Sequence, residues 1–474
     1  MDTGNLDPVA QDLAAWAERE ISPWREQPLW RPAVEARMRA LQRNDTRLFR
    51  FQFADGSVRL LPTTHSGSTF HRAQIYLAFF AKLVAFLPAD YSATICVCLG
   101  DLLQREKDVP IFAFQRSIAQ RIPLLPDIDL LVSHFLSGPY FVDGTPTAAK
   151  EKMAMFVGST TGGMIDEATA RAFALPRLRA AHYFSGNTRV DFRLPNIAQT
   201  VSAEAYEFLK QQPFCQFAKL PWPNQLKAKF LLSMDGNGAT CLRVAAALLS
   251  NSVLLKYHSE QILYYFPALT PWVHYVPVHA DTDVEPIMDK ADAEPELFDK
   301  IAAAGKEFAQ TYLTEARGME YTALLLQRYA SLFDPPSSET LAVLPERIAA
   351  RGRNAALATL KPDEHGWIGR PGSGEALTGY KLVLRPRGAW PVFYCQAVEP
   401  EGGLSPVVTE GEWVSAPAGP LHGIRVELVS KHVRPPAIGI EAIFTDGTTA
   451  EEILTKATCQ SPSGAPLEAF RLRV

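Results

Sequence analysis

The chemistry open to this chain is read first from one aspartate and two glycine-rich turns. Leu99-Gly100-Asp101 closes the apolar run Ala93 to Leu99, and a carboxylate just past a strand end is placed to take a proton from a substrate hydroxyl. The same residue type in that place also caps helices, so Asp101 alone leaves both roles open. Phe156-Val157-Gly158-Ser159-Thr160-Thr161-Gly162-Gly163 runs from an apolar stretch into a turn of glycines and hydroxyls. Such a turn lets backbone approach a phosphate, with hydroxyls, amides and the next helix N-terminus favouring its oxygens. Arg171, Arg177 and Arg179 follow, with guanidinium forks suited to a diphosphate. A second turn of the same kind places Gly236, Asn237, Gly238, Ala239 and Thr240 ahead of Arg243. Two such turns, each followed by arginine, point to a nucleotide-diphosphate ligand, whereas either alone reads as an ordinary strand-to-helix turn.

Other chemistries find no support in the residue pattern. No Gly-Lys-Ser/Thr follows either turn, and neither has dinucleotide-fingerprint spacing. The ten histidines form no His-Glu-x-x-His, no cysteine pair has zinc spacing, and no Gly-x-Ser-x-Gly elbow occurs. Asp127-Ile128-Asp129 and Asp281-Thr282-Asp283 are Asp-x-Asp triplets, a type that can hold a divalent cation. Among 51 acidic residues such triplets arise by chance, and no metal is expected.

These residues need elements to position them. From about residue 70, short apolar runs alternate with helical periods: a helix over Arg72 to Leu87, strands at Ala93 to Leu99, Val109 to Phe114 and Glu151 to Val157, and helices at Asp166 to Ala174 and Pro176 to Phe184. Strands follow at Ala228 to Ser233, Ser252 to Lys256 and Val273 to Val278, with helices at Ala239 to Leu249, Glu296 to Tyr312 and Met319 to Leu332. Alternating strands and helices predict parallel α/β sheets, which place ligands at the carboxyl ends of their strands. After Asp334-Pro335-Pro336-Ser337-Ser338 the period becomes two, as in Tyr380/Leu382/Leu384, Ile424/Val426/Leu428, Ile438/Ile440/Ala442/Phe444 and Phe470/Leu472/Val474. That pattern predicts an antiparallel β-sandwich.

With 474 residues the chain has room for about three domains: 1–150, 151–336 and 337–474. Lysine plus arginine (47) against aspartate plus glutamate (51) leaves a net charge of -4, which gives no bulk reason to bind nucleic acid. The acidic N-terminus lacks a signal-peptide core, no run approaches a membrane span, and the cysteines at 96, 98, 215, 241, 395 and 459 are scattered. A cytoplasmic, reducing location is the expectation.

The residues Lys229 to Leu332 resemble the glycosyltransferase family 90 domain of Rumi-type protein O-glucosyltransferases, capsule xylosyltransferases and lipopolysaccharide glycosyltransferases. The resemblance is carried by Lys229-Phe230-Leu231-Leu232-Ser233-Met234-Asp235-Gly236-Asn237, Ser250 to Lys256, Pro271 to Val278 and Ala302 to Phe308. Phe156 to Thr161 is similar to the family's Phe-x-Gly-Ser-x-Thr loop, and Leu87 to Asp101 with Pro110 to Phe114 to its first-domain segment. Membership implies a GT-B fold of two Rossmann-like domains, here an acceptor side to about 150 and a donor side to about 336, and inverting, metal-independent transfer from a UDP-sugar without a cofactor. It places Asp101 on the general base and Ser159, Thr161 and Gly236 to Arg243 on the donor loops; Arg171, Arg177 or Arg179 takes the diphosphate, with Arg177 the preferred match, and Lys256 is a further candidate donor-binding residue. With no secretion signal in the sequence, the expected acceptor is a bacterial-type surface glycan such as lipopolysaccharide or capsule, built at the cytoplasmic face of the inner membrane with the protein peripheral to it, rather than a secreted protein's serine. The alternative is a non-catalytic carbohydrate-binding scaffold with a degenerate GT-B part, in which Trp367, Trp390 and Trp413 offer stacking platforms.

Overall fold

The structure is a computed structural model of the chain. It describes residues 7–25, 29, 31–103, 105–239, 242–333, 348–384, 392–409, 411–416, 419–429, 438–454 and 456–473. They form two compact units: Met1–Pro23, Thr46–Glu106 and Ile111–Arg328 make the first, and Trp24–Asp45, Lys107–Pro110 and Tyr329–Val474 the second. Helix α1 (Pro8–Arg25) opens the described chain and α2 (Arg31–Asn44) belongs to the second unit.

In the first unit, β1 (Leu48–Ala54) and β2 (Ser57–Leu60) form a hairpin across Asp55-Gly56. Both turn residues have positive φ, 50° and 64°, the conformation an Asp-Gly pair adopts most readily in a two-residue hairpin loop. β1 also pairs antiparallel with β3 (Ala93–Cys98). This opening ladder departs from the parallel arrangement expected. Beyond β3 the chain does run parallel, but only through bridges from Val97 to Phe112 and from Ala113 to Leu124. The predicted strand Val109 to Phe114 shrinks to these contacts, in keeping with Pro110, which lacks a ladder donor. Helix α3 (Ser68–Leu83) covers the sheet, with Phe80 edge-on to Phe51 and Phe53 at 5.1 and 5.4 Å. Next come β4 (Arg116–Ser117) and α4 (Ile128–Val132).

The rest of this unit is built on a parallel sheet. Its strands are β5 (Glu151–Ser159), β6 (Val190–Asn196), β7 (Ala228–Ser233), β8 (Val253–Tyr257) and β10 (Val276–Val278), in the order β10-β8-β7-β5-β6. Every residue of β7 and β8 is buried, as in strands covered on both faces, which read as continuous apolar runs. The short β9 (Gln261–Ile262) turns back to pair with β4. Helices α5 (Glu167–Arg171), α6 (Pro176–Tyr183), α7 (Ala203–Lys210), α8 (Trp222–Gln225), α9 (Leu242–Leu249), α10 (Val284–Ala293), α11 (Pro295–Tyr312) and α12 (Glu315–Ser331) complete the succession. The chain steps outward from β5 to β6 and then returns to the other side of β5 for β7. The strand order therefore reverses between β5 and β7, where the loops at the carboxyl ends diverge and leave a crevice.

The second unit is antiparallel β, as the period-two pattern predicts, but it is made of three four-stranded sheets. One runs β12 (Thr359–Leu360), β11 (Ile348–Arg353), β14 (Gly379–Leu384), β17 (Val414–Ser415). A second runs β13 (Ile368–Gly369), β22 (Leu467–Arg473), β19 (Ile438–Phe444), β20 (Thr449–Leu454). The third runs β16 (Val408–Thr409), β15 (Val392–Val398), β18 (Gly423–Val429), β21 (Lys456–Gln460). All three feed one core, with Tyr380, Leu382, Val426, Ile440 and Phe470 among its members. Tyr380 Oη lies 2.9 and 3.0 Å from the carbonyls of Gln396 and Arg425, which share its single O–H, and so ties the first sheet to the third. Trp367 and Trp413 each carry a guanidinium over the ring, Arg471 at 4.6 Å and Arg353 at 4.0 Å. Trp390 lies outside the described residues.

Candidate functional site

The two glycine turns extend β5 and β7, the strands on either side of the reversal. Segment 196–199, running on from the last residue of β6, braces the first turn. Asn196 Nδ2 donates to Ser159 Oγ at 2.8 Å, Thr160 Oγ1 to the Ala198 carbonyl at 2.8 Å, and the Gly162 amide to Gln199 Oε1 at 3.1 Å. The second turn closes against the first. A Cβ on Gly236 would lie 2.5 Å from Thr161 Oγ1 and 3.0 Å from Arg177 Cζ, so only glycine lets the two loops meet at this distance. Helix α9 follows the second turn with its amino end toward it, and a helix start of this kind attracts anions.

Arg177 joins the two turns. It sits in the first turn of α6, where Pro176 begins the helix as that residue commonly does. Its guanidinium is buried over the Phe156 ring and donates to the carbonyls of Ser159 (3.1 Å), Met234 (2.9 Å from Nη2) and Asp235 (3.1 Å), and to Thr161 Oγ1 (2.9 Å). Its positive charge therefore lies beneath both loops and is anchored by backbone. Arg243 is similarly enclosed: it lies between the rings of Phe156 and Trp222 at 4.5 and 5.5 Å and donates to Gln225 Oε1 and the Val157 carbonyl. Arg171 stands apart, paired with Glu167 at 2.9 Å on the exposed face of α5. Arg179 bonds Asp281 at 2.9 Å, whose other oxygen accepts from Tyr257 Oη at 3.0 Å.

Asp101 faces the second turn. Its Oδ1 takes a hydrogen bond and ion pair from Arg72 at 3.0 Å, its Oδ2 a bond from Asn237 Nδ2 at 2.9 Å, and its carbonyl one from Gln115. Arg72 also holds the Leu99 carbonyl at 2.9 Å, so one guanidinium spans the strand end and the carboxylate. The Asp101 side chain remains 42% exposed, open to a ligand while held in place. Asn237 thus connects the carboxylate to the second glycine turn. A Cβ on Gly238 would fall 2.5 Å from the Gln115 amide, so this residue also packs on that side. Ala239 is buried, and Thr240 lies outside the described residues.

Two further charges complete the surroundings. Lys256, at the end of β8, is buried against the Phe266 ring at 4.8 Å; burial pushes its ammonium below the usual lysine range, and the Asp235 carboxylate opposes that shift. Asp235 itself accepts from Ser259 Oγ. The Asp281 triplet builds the turn after β10, where Asp283 accepts the amides of His279 and Ala280, both at 2.9 Å. In the other triplet, Asp127 caps α4 by accepting the Asp129 amide at 2.6 Å. Among the described residues no cluster of three or more histidine, cysteine or acidic side chains is arranged to hold a metal ion. The residues that sequence reasoning passed over are Arg72 and Gln115. One lies on an amphipathic helix and the other past an apolar segment, and their bonds to residues 29 and 14 positions away leave no local pattern.

A parallel sheet with two glycine turns at its reversal point, facing a carboxylate held by an arginine, puts the unit in the α/β class whose crevices lie at the strands' carboxyl ends. Within that class, residues 168–351 match the family model described as glycosyl transferase family 90, and the resemblance read from the motifs is thereby shown for this stretch. The chain is 35% identical over 107 residues to protein O-glucosyltransferase 2 of Danio rerio, covering 22% of this chain and 21% of the relative. It is 27% identical over 187 residues to an O-glucosyltransferase rumi homolog of Anopheles gambiae, covering 39% and 43%, respectively. Protein O-glucosyltransferase 1 of Rattus norvegicus is 32% identical over 88 residues, covering 18% and 22%. The chain thus spans between a fifth and somewhat over two fifths of the length of these curated relatives.

Proposed function

We propose that the chain is an inverting, metal-independent glycosyltransferase that moves a hexose or pentose from a UDP-sugar to a hydroxyl, with Asp101 as general base. The observation that carries this reading is the bond from Asn237 to Asp101, which puts a proton acceptor directly beside a phosphate-type turn. In the proposed step Asp101 takes the proton of the acceptor hydroxyl while its oxygen attacks the anomeric carbon. The bond from that carbon to the diphosphate breaks on the opposite face, and UDP leaves with the electron pair. Charge building on the diphosphate is met by the amides of the two turns, the start of α9 and the buried Arg177 guanidinium between them. In this proposal the fold is GT-B, with the donor side on the parallel sheet and the acceptor side on β1 to β3.

The proposed acceptor is a glycan of the lipopolysaccharide or capsule type, assembled at the cytoplasmic face of a membrane. A second reading, a hydroxyl on a protein, is favoured by the names of the relatives, which are protein O-glucosyltransferases. The test is turnover of UDP-glucose, UDP-xylose and UDP-galactose with glycan and peptide acceptors, followed by mass spectrometry. Asp101→Asn is expected to abolish transfer while leaving UDP binding nearly intact. Retained turnover in that variant removes Asp101 from the role.

A further inference from the structure

A cavity of about 410 Å³ lies beside β10, the edge strand of the parallel sheet, bounded by Pro277 of that strand, by Ile287 and Lys290 of α10, and by Trp272. Its volume falls within the roughly 300 to 1,000 Å³ of small-ligand sites. Trp272 is 41% exposed and has a φ of 62°, a left-handed conformation that a bulky side chain adopts only under constraint. The constraint is a tight turn: the Trp272 amide donates to the Tyr275 carbonyl at 2.7 Å, the His274 amide to the Thr270 carbonyl at 2.9 Å, and the Thr270 amide to His274 Nδ1 at 2.9 Å. The indole meets Phe298 edge-on at 6.4 Å and also lines the cavity. Backbone strain that keeps an aromatic ring at the surface points to a ligand contact, since a ring needed only for packing has no call for it.

The cavity also has a polar rim. His279 and Asp283 line it; Asp283 Oδ2 accepts the amides of His279 and Ala280, while among the described residues Asp283 Oδ1 and the His279 ring make no hydrogen bond. Lys290 gives one of its three donors to Glu294 at 2.6 Å. One carboxylate and one ammonium balance each other across the lining, which suits an uncharged ligand. Pro277 has no N–H to offer, so an added peptide strand cannot complete a ladder here. A flat apolar platform ringed by donors and acceptors matches a sugar, whose C–H face stacks on indole while its hydroxyls bond around it. We propose that this cavity binds a neutral sugar unit of a glycan chain, at a subsite separate from the crevice. His279 stacks on His258 at 5.9 Å, and the next residue, Ser259, bonds Asp235 at the start of the second glycine turn. The ends of β8 and β10 thus connect the subsite to the crevice, and a glycan held on Trp272 stays close to it. The subsite goes beyond the transferase reading and does not depend on it.

The test titrates the full chain with maltohexaose, cellohexaose and chitohexaose, and separately with UDP, by calorimetry, then repeats both with Trp272→Gly and His279→Ala. At least one hexasaccharide is expected to bind with a Kd of about 1 mM or below. Trp272→Gly is expected to weaken that binding by about tenfold or more with UDP affinity unchanged and the melting temperature not lowered, because glycine takes the left-handed conformation without strain. His279→Ala alters an exposed side chain outside the strained turn and is expected to weaken sugar binding in a fully folded protein. Absence of saturable binding by all three sugars up to about 10 mM overturns the proposal, as does wild-type sugar affinity in both variants. An equal loss of UDP affinity overturns it too, because the cavity would then belong to the nucleotide. Absence of UDP-sugar turnover in the wild-type chain sinks the transferase reading and leaves this subsite standing, so the two failures are distinct.

Discussion

Arg72 and Gly236 act at the scale of single residues. Arg72 bonds Asp101 and the Leu99 carbonyl through the same nitrogen, so its loss leaves the carboxylate both less restrained and without its cation. If Asp101 is the base as proposed, Arg72→Met is expected to lower kcat by about 100-fold, the cost of a misplaced catalytic group, with UDP affinity unchanged in calorimetric titration. A parallel loss of UDP binding would show instead that Arg72 organises the phosphate turn. For Gly236→Ala the added methyl has nowhere to go between Thr161 and Arg177, and the loops must part. The expected outcome is UDP binding weaker by at least about tenfold, or about 1.4 kcal/mol, in a protein whose circular dichroism matches wild type.

At the scale of elements, α4 depends on an unusual cap. Asp127 is buried, and the desolvation of its carboxyl, with the nearby Asp129, holds it well above the usual carboxylate range. A carboxyl raised in the fold favours the neutral form. Its contribution to stability is therefore complete below the ordinary value near 4 and is lost as pH rises toward the raised value. Asp127→Asn keeps an acceptor for the Asp129 amide and has no charge to bury. The variant is expected to gain on wild type in melting temperature as pH goes from about 4 to 8, the interval that begins at the ordinary carboxylate value. A difference independent of pH would mean that Asp127 ionises in the fold without cost. The same scale explains which elements were legible. β7, predicted as Ala228 to Ser233, is found with those bounds, because a strand buried on both faces carries a short apolar run, here Phe230 to Leu232 between Lys229 and Ser233. β6 is not among the predicted strands, although Val190, Phe192 and Leu194 alternate with polar residues as a half-buried strand does, its run being short and ending in Pro195-Asn196. Only its partner β5 shows it to be a strand.

For the whole molecule, the two units have separate cores, one around Phe156, Phe230 and Leu255 and another around Tyr380, Val426 and Phe470. Separate cores unfold as separate cooperative events. Calorimetry is expected to resolve two transitions, with UDP raising only the one that belongs to the unit carrying the glycine turns. Tyr380→Phe removes the hydroxyl that ties two sheets together and is expected to lower only the other, by about 1 to 3 kcal/mol. A single transition shifted by both changes would show the units to be energetically fused. Among the described residues no helix is long and apolar enough to cross a membrane.

By itself the sequence determined the alternation of buried strands and helices, the period-two C-terminal strands, and the types of residue at Asp101 and the two glycine turns. Each of these follows from local composition, since burial and backbone freedom act on every residue where it stands. The tertiary structure decided what those residues touch. Arg177 and Arg243, read as cations for a diphosphate, spend hydrogen bonds on carbonyls 18 and 86 positions away, because buried backbone acceptors must be paired. Asn237 meets Asp101 across 136 residues, and Asp127 of a metal-like triplet caps α4 by accepting the Asp129 amide. No spacing along the chain encodes such meetings, since they depend on the reversal between β5 and β7 that brings the loops to one place.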